Sequence, residues 1–125
     1  MTFGEYIYEK RKTNGFTIRD LSGMISASPS YISGIERGTR TAPNSDILKK
    51  FSDAFALSDE EEAKMMDLAA KTKSAPTVPS DILPYINENN IVHKAIRTAM
   101  QNNISDDEWE KFIEHITNTE PKNYF

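Results

Sequence analysis

Apolar residues recur at spacings of three and four along this chain, and no stretch sustains the alternation of apolar and polar residues that marks a strand. A chain with this periodicity forms amphipathic helices, so the sequence predicts an all-α protein. Its 125 residues accommodate one ordinary domain and a small appendage. That length leaves little room for a two-domain enzyme with a deep cleft.

One segment, TKSAPTVPS, interrupts the helical pattern with two prolines and small polar residues, which predicts a linker at residues 72–80. Before it, residues 1–71 accommodate five short helices, which we assign to a first domain. After it, residues 81–125 contain amphipathic helices that are expected to form a helical hairpin. A hairpin of this size cannot bury its own apolar stripes, so it must pack on the first domain or on another chain.

Charge is divided unevenly along the chain. Residues 1–50 carry eight basic and five acidic residues, a net charge of +3, whereas residues 51–125 carry seven basic and fourteen acidic residues, a net charge of −7. The overall charge of −4 therefore does not argue against a nucleic-acid-binding first half. The two halves are expected to face different partners. The alternative is that both halves simply expose solvated charges.

The stretch SPSYISGIERG, residues 28–38, carries the start and stop signals of a short helix. Ser28 is a favoured N-cap, Pro29 fits the first helical position, where its missing N–H costs nothing, and Gly38 is a helix-stop residue. Ile32 and Ile35 are predicted to face inward. Four residues at spacings of three and four share another side of this helix: Ser30, Ser33, Gly34 and Arg37.

A helix that begins after Thr17, a tight connection and this second helix make the layout of a helix-turn-helix. The run FTIRDLSGMISASPSYISGIERG resembles the Xre-type, lambda-repressor-like DNA-binding domain of bacterial regulators, and the resemblance extends over residues 3–70. It implies a five-helix domain at residues 1–71 that binds double-stranded DNA. It also implies that the Ser28–Arg37 helix enters the major groove of an operator.

The resemblance divides the polar residues of this motif between bases and phosphates. Bases are distinguished by hydrogen bonds and methyl contacts, whereas phosphates are contacted through charge and N–H donors. The candidates for base reading are Ser30, Tyr31, Ser33 and Gly34. The candidates for phosphate contacts are Thr17, Arg19, Ser28, Arg37, Thr39, Arg40 and Asn44.

Two positions depart from the family pattern. Ile18 stands where a glutamine usually supports a base contact, and Gly34 stands where a long polar side chain is common. Gly34 is expected to let the backbone come close to the DNA. Because the hydroxyls of Ser30 and Ser33 bond to several bases, each half-site should be read with modest specificity, for which dimerisation or DNA shape compensates.

The same family pairs an Arg late in the first helix with the Glu that closes the recognition helix. The equivalent residues here are Arg11 and Glu36. We expect this ion pair to be structural, because a partly buried pair fixes orientation at a cost in desolvation. Loss of one partner should therefore reduce stability before it affects contacts with DNA.

The C-terminal segment HKAIRTAMQNNISDDEWEKFIEHI is similar to the helical hook of Sin-type regulators. That resemblance implies a homodimer or tetramer formed by paired hooks, or binding of a small antagonist protein with a similar hook. A stripe that contains Trp and Phe is also typical of protein interfaces. The alternative is that this stripe covers the first domain within one chain. The expected interface residues are Ile96, Ala99, Met100, Ile104, Trp109, Phe112, Ile113 and Ile116.

The sequence lacks the spacing of a catalytic or metal site. His93 and His115 have no cysteine or HExxH-like pattern beside them. The acidic runs at residues 59–62 and 106–108 lie in the first turns of predicted helices, where carboxylates suit the helix dipole. We therefore expect no enzyme activity, no catalytic residues, no metal and no cofactor.

No apolar run approaches the length of a membrane span, the N-terminus lacks the hydrophobic region of a signal peptide, and the chain has no cysteine. These features predict a cytoplasmic protein without membrane contact. The expected function is that of a dimeric, sequence-specific repressor. The alternative is an antitoxin-like or adaptor protein that binds a protein partner through its hairpin and regulates its own gene through its helix-turn-helix.

Overall fold

A computed structural model describes residues 1–72 and 77–118 of the chain. Within these residues all regular structure is helical, so the predicted all-α class is confirmed. The helices are α1 (Phe3–Thr13), α2 (Ile18–Ile25), α3 (Pro29–Arg37), α4 (Ser45–Phe55), α5 (Asp59–Ala70), α6 (Leu83–Glu88), α7 (Asn90–Gln101) and α8 (Asp106–Asn118). None of the helices in this part of the chain is long and apolar enough to cross a membrane.

The chain divides into two compact units, Met1–Pro84 and Tyr85–Phe125. The first unit thus extends beyond residue 71, where the sequence predicts the end of the first domain. Part of the expected linker belongs to the first unit, since the Ser80 hydroxyl lies 4.0 Å from the sulfur of Met66. Residues 73–76 of that linker lie outside the described residues.

Side-chain caps set the starts of the first five helices. The hydroxyls of Thr2, Thr17 and Ser58 each begin a capping box, in which a carboxylate three residues later accepts the N–H of the cap residue. Ser28 and Asn44 cap α3 and α4 by accepting the N–H of the residue three positions on. The sequence predicts caps at Thr17, Ser28 and Ser58 and a cap at either Asn44 or Ser45. These caps are confirmed, and Asn44 is the cap of α4.

The core of the first unit is a single apolar cluster, to which each of α1 to α5 contributes. On α2 the buried arc runs along Leu21 and Ile25, with Ile18 at its margin, so Met24 points away from it and is 48% exposed. Helical spacing predicts Leu21, Met24 and Ile25 on one buried stripe, and for Met24 this prediction is wrong. The buried residues are Phe3, Tyr6, Ile7, Leu21, Ile25, Ile32, Ile35, Leu48, Phe51, Phe55, Met65, Met66 and Ala69.

Helix α4 turns a different arc inward from the one that its sequence suggests. Helical spacing predicts an inward face of Ile47, Phe51, Ala54 and Phe55. Phe51 and Phe55 are buried, but Leu48 takes the third central place, and Ile47 and Ala54 lie at the margin. The ring of Phe51 meets that of Phe3 edge-on at 6.5 Å and that of Phe55 in a stacked arrangement at 6.0 Å. These aromatic contacts fix which side of α4 faces the core.

Helices α1 and α3 approach each other closely at Gly4. A Cβ atom at this position would lie 2.4 Å from the carbonyl oxygen of Ile35 and 2.8 Å from that of Glu36. Both oxygens belong to the backbone of α3, so neither can move aside as a flexible side chain can. The absence of a side chain at Gly4 therefore sets the distance between the two helices.

We expect Gly4→Ala to lower the free energy of unfolding by at least about 2 kcal/mol, because the added methyl group forces α3 away from α1. Gly23→Ala is the matched control. Gly23 also lies inside a helix, but a Cβ there meets nothing within 4 Å. Alanine has the higher helix propensity, so this control should gain about 1 kcal/mol. Urea unfolding of both variants tests the prediction, and equal stabilities would contradict it.

A second set of bonds joins α1 to α5 around Glu61. The phenol of Tyr6 donates to the Glu61 carbonyl oxygen at 2.9 Å, and the ammonium of Lys10 bonds to the Glu61 carboxylate. That carboxylate also accepts the backbone N–H of Ser58 at 3.0 Å. The bonds from Lys10 and Ser58 lower the pKa of Glu61 from 4.5 to about 2, and the bond to Glu61 raises the pKa of Lys10.

A carboxylate with a lowered folded-state pKa stabilises the protein above its unfolded pKa, and this contribution is lost as the pH falls through the folded value. We therefore expect Glu61 to contribute fully above about pH 4.5 and progressively less down to about pH 2. Glu61→Gln should reduce stability at neutral pH and flatten its decline over this range. Glu60→Gln removes a charge from the same helix turn and should leave the decline unchanged. Urea midpoints measured across this pH range test the difference.

The second unit contains the helix pair α7 and α8. Helix α7 ends in a turn with Asn103 in the left-handed conformation, φ 49°, where the Ile104 N–H donates to the carbonyl oxygen of Ala99 at 3.1 Å. The Ser105 hydroxyl then accepts the N–H of Glu108 at 3.2 Å and begins α8. The two helices that the sequence predicts in this segment are present.

Candidate nucleic-acid interface

Two hydrogen bonds between Ser22 and Ala27 stabilise the turn between α2 and α3. The Ser22 carbonyl oxygen accepts the N–H of Ala27 at 3.2 Å, and the Ser22 hydroxyl donates to the Ala27 carbonyl oxygen. Between them Ser26 adopts φ 56°, a left-handed conformation that few side chains tolerate well. With Ile32 and Ile35 buried, these bonds fix how α3 follows α2.

Arg11 and Glu36 form the ion pair that the family resemblance implies. The Nε atom of Arg11 lies 2.7 Å from one carboxylate oxygen of Glu36, and a second guanidinium nitrogen lies 3.0 Å from the other. The third nitrogen donates to the Phe16 carbonyl oxygen at 3.0 Å. The side chains of the pair are only 9% and 7% exposed. The two bonds to Glu36 raise the pKa of Arg11 and join the end of α3 to α1.

Glu36→Ala should lower the free energy of unfolding by about 3 kcal/mol, since it leaves a buried guanidinium without its partner. Arg11→Met combined with Glu36→Met should recover part of that loss, because no charge then stays buried. Arg37→Ala, at the neighbouring exposed position, should change stability by less than about 0.5 kcal/mol. Thermal and urea unfolding test the series. A Glu36→Ala protein as stable as the parent would contradict the structural role.

The start of α3 presents its hydroxyl groups to solvent. Ser30 is exposed, whereas Tyr31 and Ser33 are half-buried. The Ser28 hydroxyl accepts the Tyr31 N–H at 3.2 Å and lies 3.4 Å from the Ser30 hydroxyl. Burial raises the pKa of the Tyr31 phenol, so this group stays a hydrogen-bond donor at neutral pH. The first turn of α3 therefore offers neutral donors and acceptors.

Gly34 is buried, although the sequence places it on the open side of α3. A Cβ atom at this position would lie 3.1 Å from Cδ of Arg40 and 3.2 Å from the hydroxyl oxygen of Thr39. The Thr39 N–H and hydroxyl both donate to the Gly34 carbonyl oxygen, at 2.9 and 3.2 Å. The expectation that Gly34 leaves its backbone open to DNA is corrected, because the loop after α3 folds back over it.

The predicted phosphate residues lie at the starts of three helices and in one loop. Thr17, Ser28 and Asn44 are the caps of α2, α3 and α4. The exposed Arg19 lies in the first turn of α2, and Arg37 is exposed at the end of α3. Ser28 contacts the base-reading candidates Ser30 and Tyr31, and the loop residues Thr39 and Arg40 contact Gly34 and the ring of Tyr31.

Asp20 is a residue of this region that the sequence analysis did not single out. Its carboxylate accepts the Thr17 N–H at 2.9 Å, and this bond lowers the pKa of Asp20. The N–H and the hydroxyl of Thr17 therefore both bond to Asp20. The pattern of Thr followed three residues later by an acid could have indicated this capping box.

The second unit carries a different candidate site, an apolar face on α7 and α8 without a buried residue. No residue from Tyr85 to Asn118 is buried. The rings of Trp109 and Phe112 meet edge-on at 6.1 Å, yet both are 40% or more exposed. Of the predicted interface residues, Ala99 and Ile104 are half-buried. The other six are exposed: Ile96, Met100, Trp109, Phe112, Ile113 and Ile116.

Comparison with known proteins identifies the kind of domain that the first unit contains. Residues 7–61 match the helix-turn-helix family. Over 112 residues the chain is 25% identical to the HTH-type transcriptional regulator SinR of Bacillus subtilis (strain 168), a match that covers 90% of this chain and 89% of SinR. A solved SinR protein/SinI protein complex contains a chain with 23% identity and a TM-score of 0.48, and the match covers 93% of this chain and 95% of that one.

The family match begins within α1 and ends within α5, so it contains the whole of α2, the turn and α3. The caps of α2 and α3, the Arg11–Glu36 ion pair and the buried isoleucines of α3 hold this helix in place. They leave its first turn exposed. The sequence likeness to a transcriptional regulator continues through most of the chain. Residues 7–61 therefore form a domain similar to the helix-turn-helix family, and the protein is a DNA-binding transcriptional regulator rather than an enzyme.

Proposed function

We propose that this regulator is a dimeric, sequence-specific repressor that acts by occupying an operator with α3 in the major groove. The observation that carries the proposal is the bidentate Arg11–Glu36 pair, which holds α3 while leaving its first turn exposed. Because the C-terminal end of α3 is fixed to α1 and its first turn is exposed, the helix can enter the major groove without a change in conformation.

In this proposal the residues of α3 meet the bases and the helix starts meet the phosphates. Ser30, Tyr31 and Ser33 supply the hydroxyl contacts, which several bases can accept. The phosphates are met by Arg19 and Arg37 together with the caps of α2, α3 and α4. The three caps Thr17, Ser28 and Asn44 lie where the helix dipoles favour an anion.

We further propose that the apolar face of α7 and α8 pairs with the same face of a second copy. This pairing is supported by the exposure of Trp109, Phe112 and their neighbours, because a contiguous apolar face of this kind is unfavourable in water. A two-fold dimer also matches a two-fold operator, so that two weakly selective helices act together. Dimers that pair again through the same unit would form a tetramer.

The same face favours a second candidate function, the binding of a different protein. A small antagonist with a similar pair of helices could occupy it and separate the dimer, or the chain could serve as an antitoxin-like adaptor that regulates its own gene. In either case the chain acts where bacterial DNA is transcribed, in the cytoplasm. In this proposal the helix-turn-helix domain, residues 1–71, and the C-terminal helices, residues 81–125, act as separate functional parts joined by residues 72–80.

Selection of bound fragments from a pool of random DNA duplexes tests the main proposal. We expect the full chain to enrich a motif with two-fold symmetry. Purification from its native cell as a stable complex with a different protein, without a homodimer of the chain, would favour the second candidate.

Phe112→Asp should weaken dimerisation by about 30-fold or more, because it places a charge at the centre of the proposed interface. Lys111→Asp is the matched control. It lies on α8 one residue earlier, on the side away from Trp109 and Phe112, and should leave the dimer intact. Sedimentation equilibrium gives both constants, and circular dichroism checks that α8 is retained. If the parent chain is itself a monomer at all concentrations, the proposed dimer is wrong.

A further inference from the structure

We propose that Arg40, in the loop after α3, reads a guanine in the major groove and thereby replaces the side chain that Gly34 lacks. This inference rests on the proposed function, because it assigns a specificity residue to the same DNA-binding site. It differs from the sequence-based expectation, in which Arg40 contacts a phosphate. The two roles predict different effects of mutation on base preference and on salt dependence.

The first step is the position of the Arg40 stem. Its Cγ and Cδ atoms would lie 3.2 and 3.1 Å from a Cβ atom built on Gly34. The methylene groups of Arg40 therefore pack against the open side of α3, at the position where a residue 34 side chain would begin. Gly38, with φ 77°, turns the chain so that the loop can return over the helix.

The second step is the position of the charged group. The guanidinium carbon of Arg40 lies 5.4 Å from the ring centroid of Tyr31, within the range of a cation–π contact. Tyr31 lies one turn before Gly34, near the start of α3, which is the part expected to meet base edges. The Tyr31 ring and the space beside Gly34 together direct the Arg40 side chain along α3.

The third step concerns the hydrogen-bond donors of the Arg40 guanidinium, which stay available to a ligand. Among residues 1–72 and 77–118, no side chain or backbone oxygen accepts a hydrogen bond from Arg40, and no carboxylate pairs with it. An arginine fork fits the N7 and O6 acceptors of guanine, and this pair is the most frequent specific contact in the major groove. The neighbouring serine hydroxyls cannot distinguish bases as strongly. A fork that is already ordered by Tyr31 also loses less conformational entropy on binding.

Arg19 and Arg37 provide the contrast within the same region. Both are exposed, and neither side chain lies over an aromatic ring among the described residues. Freely moving arginines of this kind are suited to phosphates, which accept contacts from many directions. Arg40 differs because its stem and its charged group are both held in place.

The test uses the full chain and a pool of random DNA duplexes, with Arg40→Ala and the control Arg37→Ala. We expect the parent and Arg37→Ala to enrich the same motif with a guanine in each half-site, and Arg40→Ala to lose the preference for that guanine. Substituting that guanine by 7-deazaguanine, which lacks the N7 acceptor, should weaken binding of the parent by about fivefold or more and leave Arg40→Ala unaffected. Circular dichroism and thermal melting check that each variant is folded.

Two further positions test the geometry. Gly34→Ala should displace the Arg40 stem and reduce the guanine preference while the protein stays folded, because the neighbouring atoms are side-chain atoms that can move. Tyr31→Phe keeps the ring and should retain the preference, whereas Tyr31→Ala should reduce it. Binding of these variants to the selected duplex and to its 7-deazaguanine form gives the measurement.

The salt dependence of DNA binding distinguishes a phosphate contact by Arg40 from a base contact. If Arg40→Ala keeps the motif but makes the log–log salt slope shallower by about 0.9, the value for one neutralised phosphate, Arg40 is a phosphate residue and the inference is wrong. Tighter binding by Arg40→Ala would also overturn it, since Arg40 would then obstruct the helix. If the parent chain enriches no motif, the proposed function itself fails, and that result is distinct from either of the others.

Discussion

The contact between α1 and α3 is the constraint on which the rest of the DNA-binding unit depends. At one end of α1, Gly4 allows the backbone oxygens of Ile35 and Glu36 to approach the helix. At the other end, Arg11 donates two hydrogen bonds to the Glu36 carboxylate. Helix α3 is only nine residues long and would not be stable alone. Its orientation is set by the residues that it contacts rather than by its own helix propensity.

The same constraint explains why the exposed side of α3 can carry such small residues. Its inward side contributes Ile32 and Ile35 to the core, and its end is fixed by the ion pair. The exposed positions Ser30 and Arg37 contribute nothing to this core, so they can be chosen for contacts with a ligand. The loop after α3 adds Arg40 to this side, above Gly34 and beside Tyr31. A recognition surface thus combines a helix with a residue that follows it in sequence.

The two units differ in how far they satisfy their own apolar residues. The first unit buries a complete core that includes the rings of Phe3, Phe51 and Phe55. The second unit has local caps and turns of good geometry, but it leaves Trp109 and Phe112 largely exposed. Helix signals therefore suffice to form α7 and α8, but these two helices do not bury their own apolar face. This difference links the fold to the dimer that we propose.

Local signals made much of the fold predictable. Caps at Thr17, Ser28, Asn44 and Ser58 depend on residues three positions apart, so their sequence patterns are short and specific. The burial of Met24 was predicted incorrectly, because a short helix has several adjacent stripes and its neighbours select one. Within the segment predicted as a linker, Ser80 contacts Met66. Neither the orientation of Met24 nor this contact follows from local spacing, because each depends on residues that are distant in sequence or on different helices.

The sequence by itself determined the helical class, the caps, the helix-turn-helix layout and the residue types on each side of α3, because each depends on periodicity or on spacings of a few residues. The family resemblance further pointed to the Arg11–Glu36 pair, whose partners are 25 positions apart. Only the tertiary structure decided that Gly4 sets the approach of α3 and that Gly34 lies under Arg40. The physical reason is steric: what occupies the space beside a glycine depends on which backbone or side chain the fold brings there.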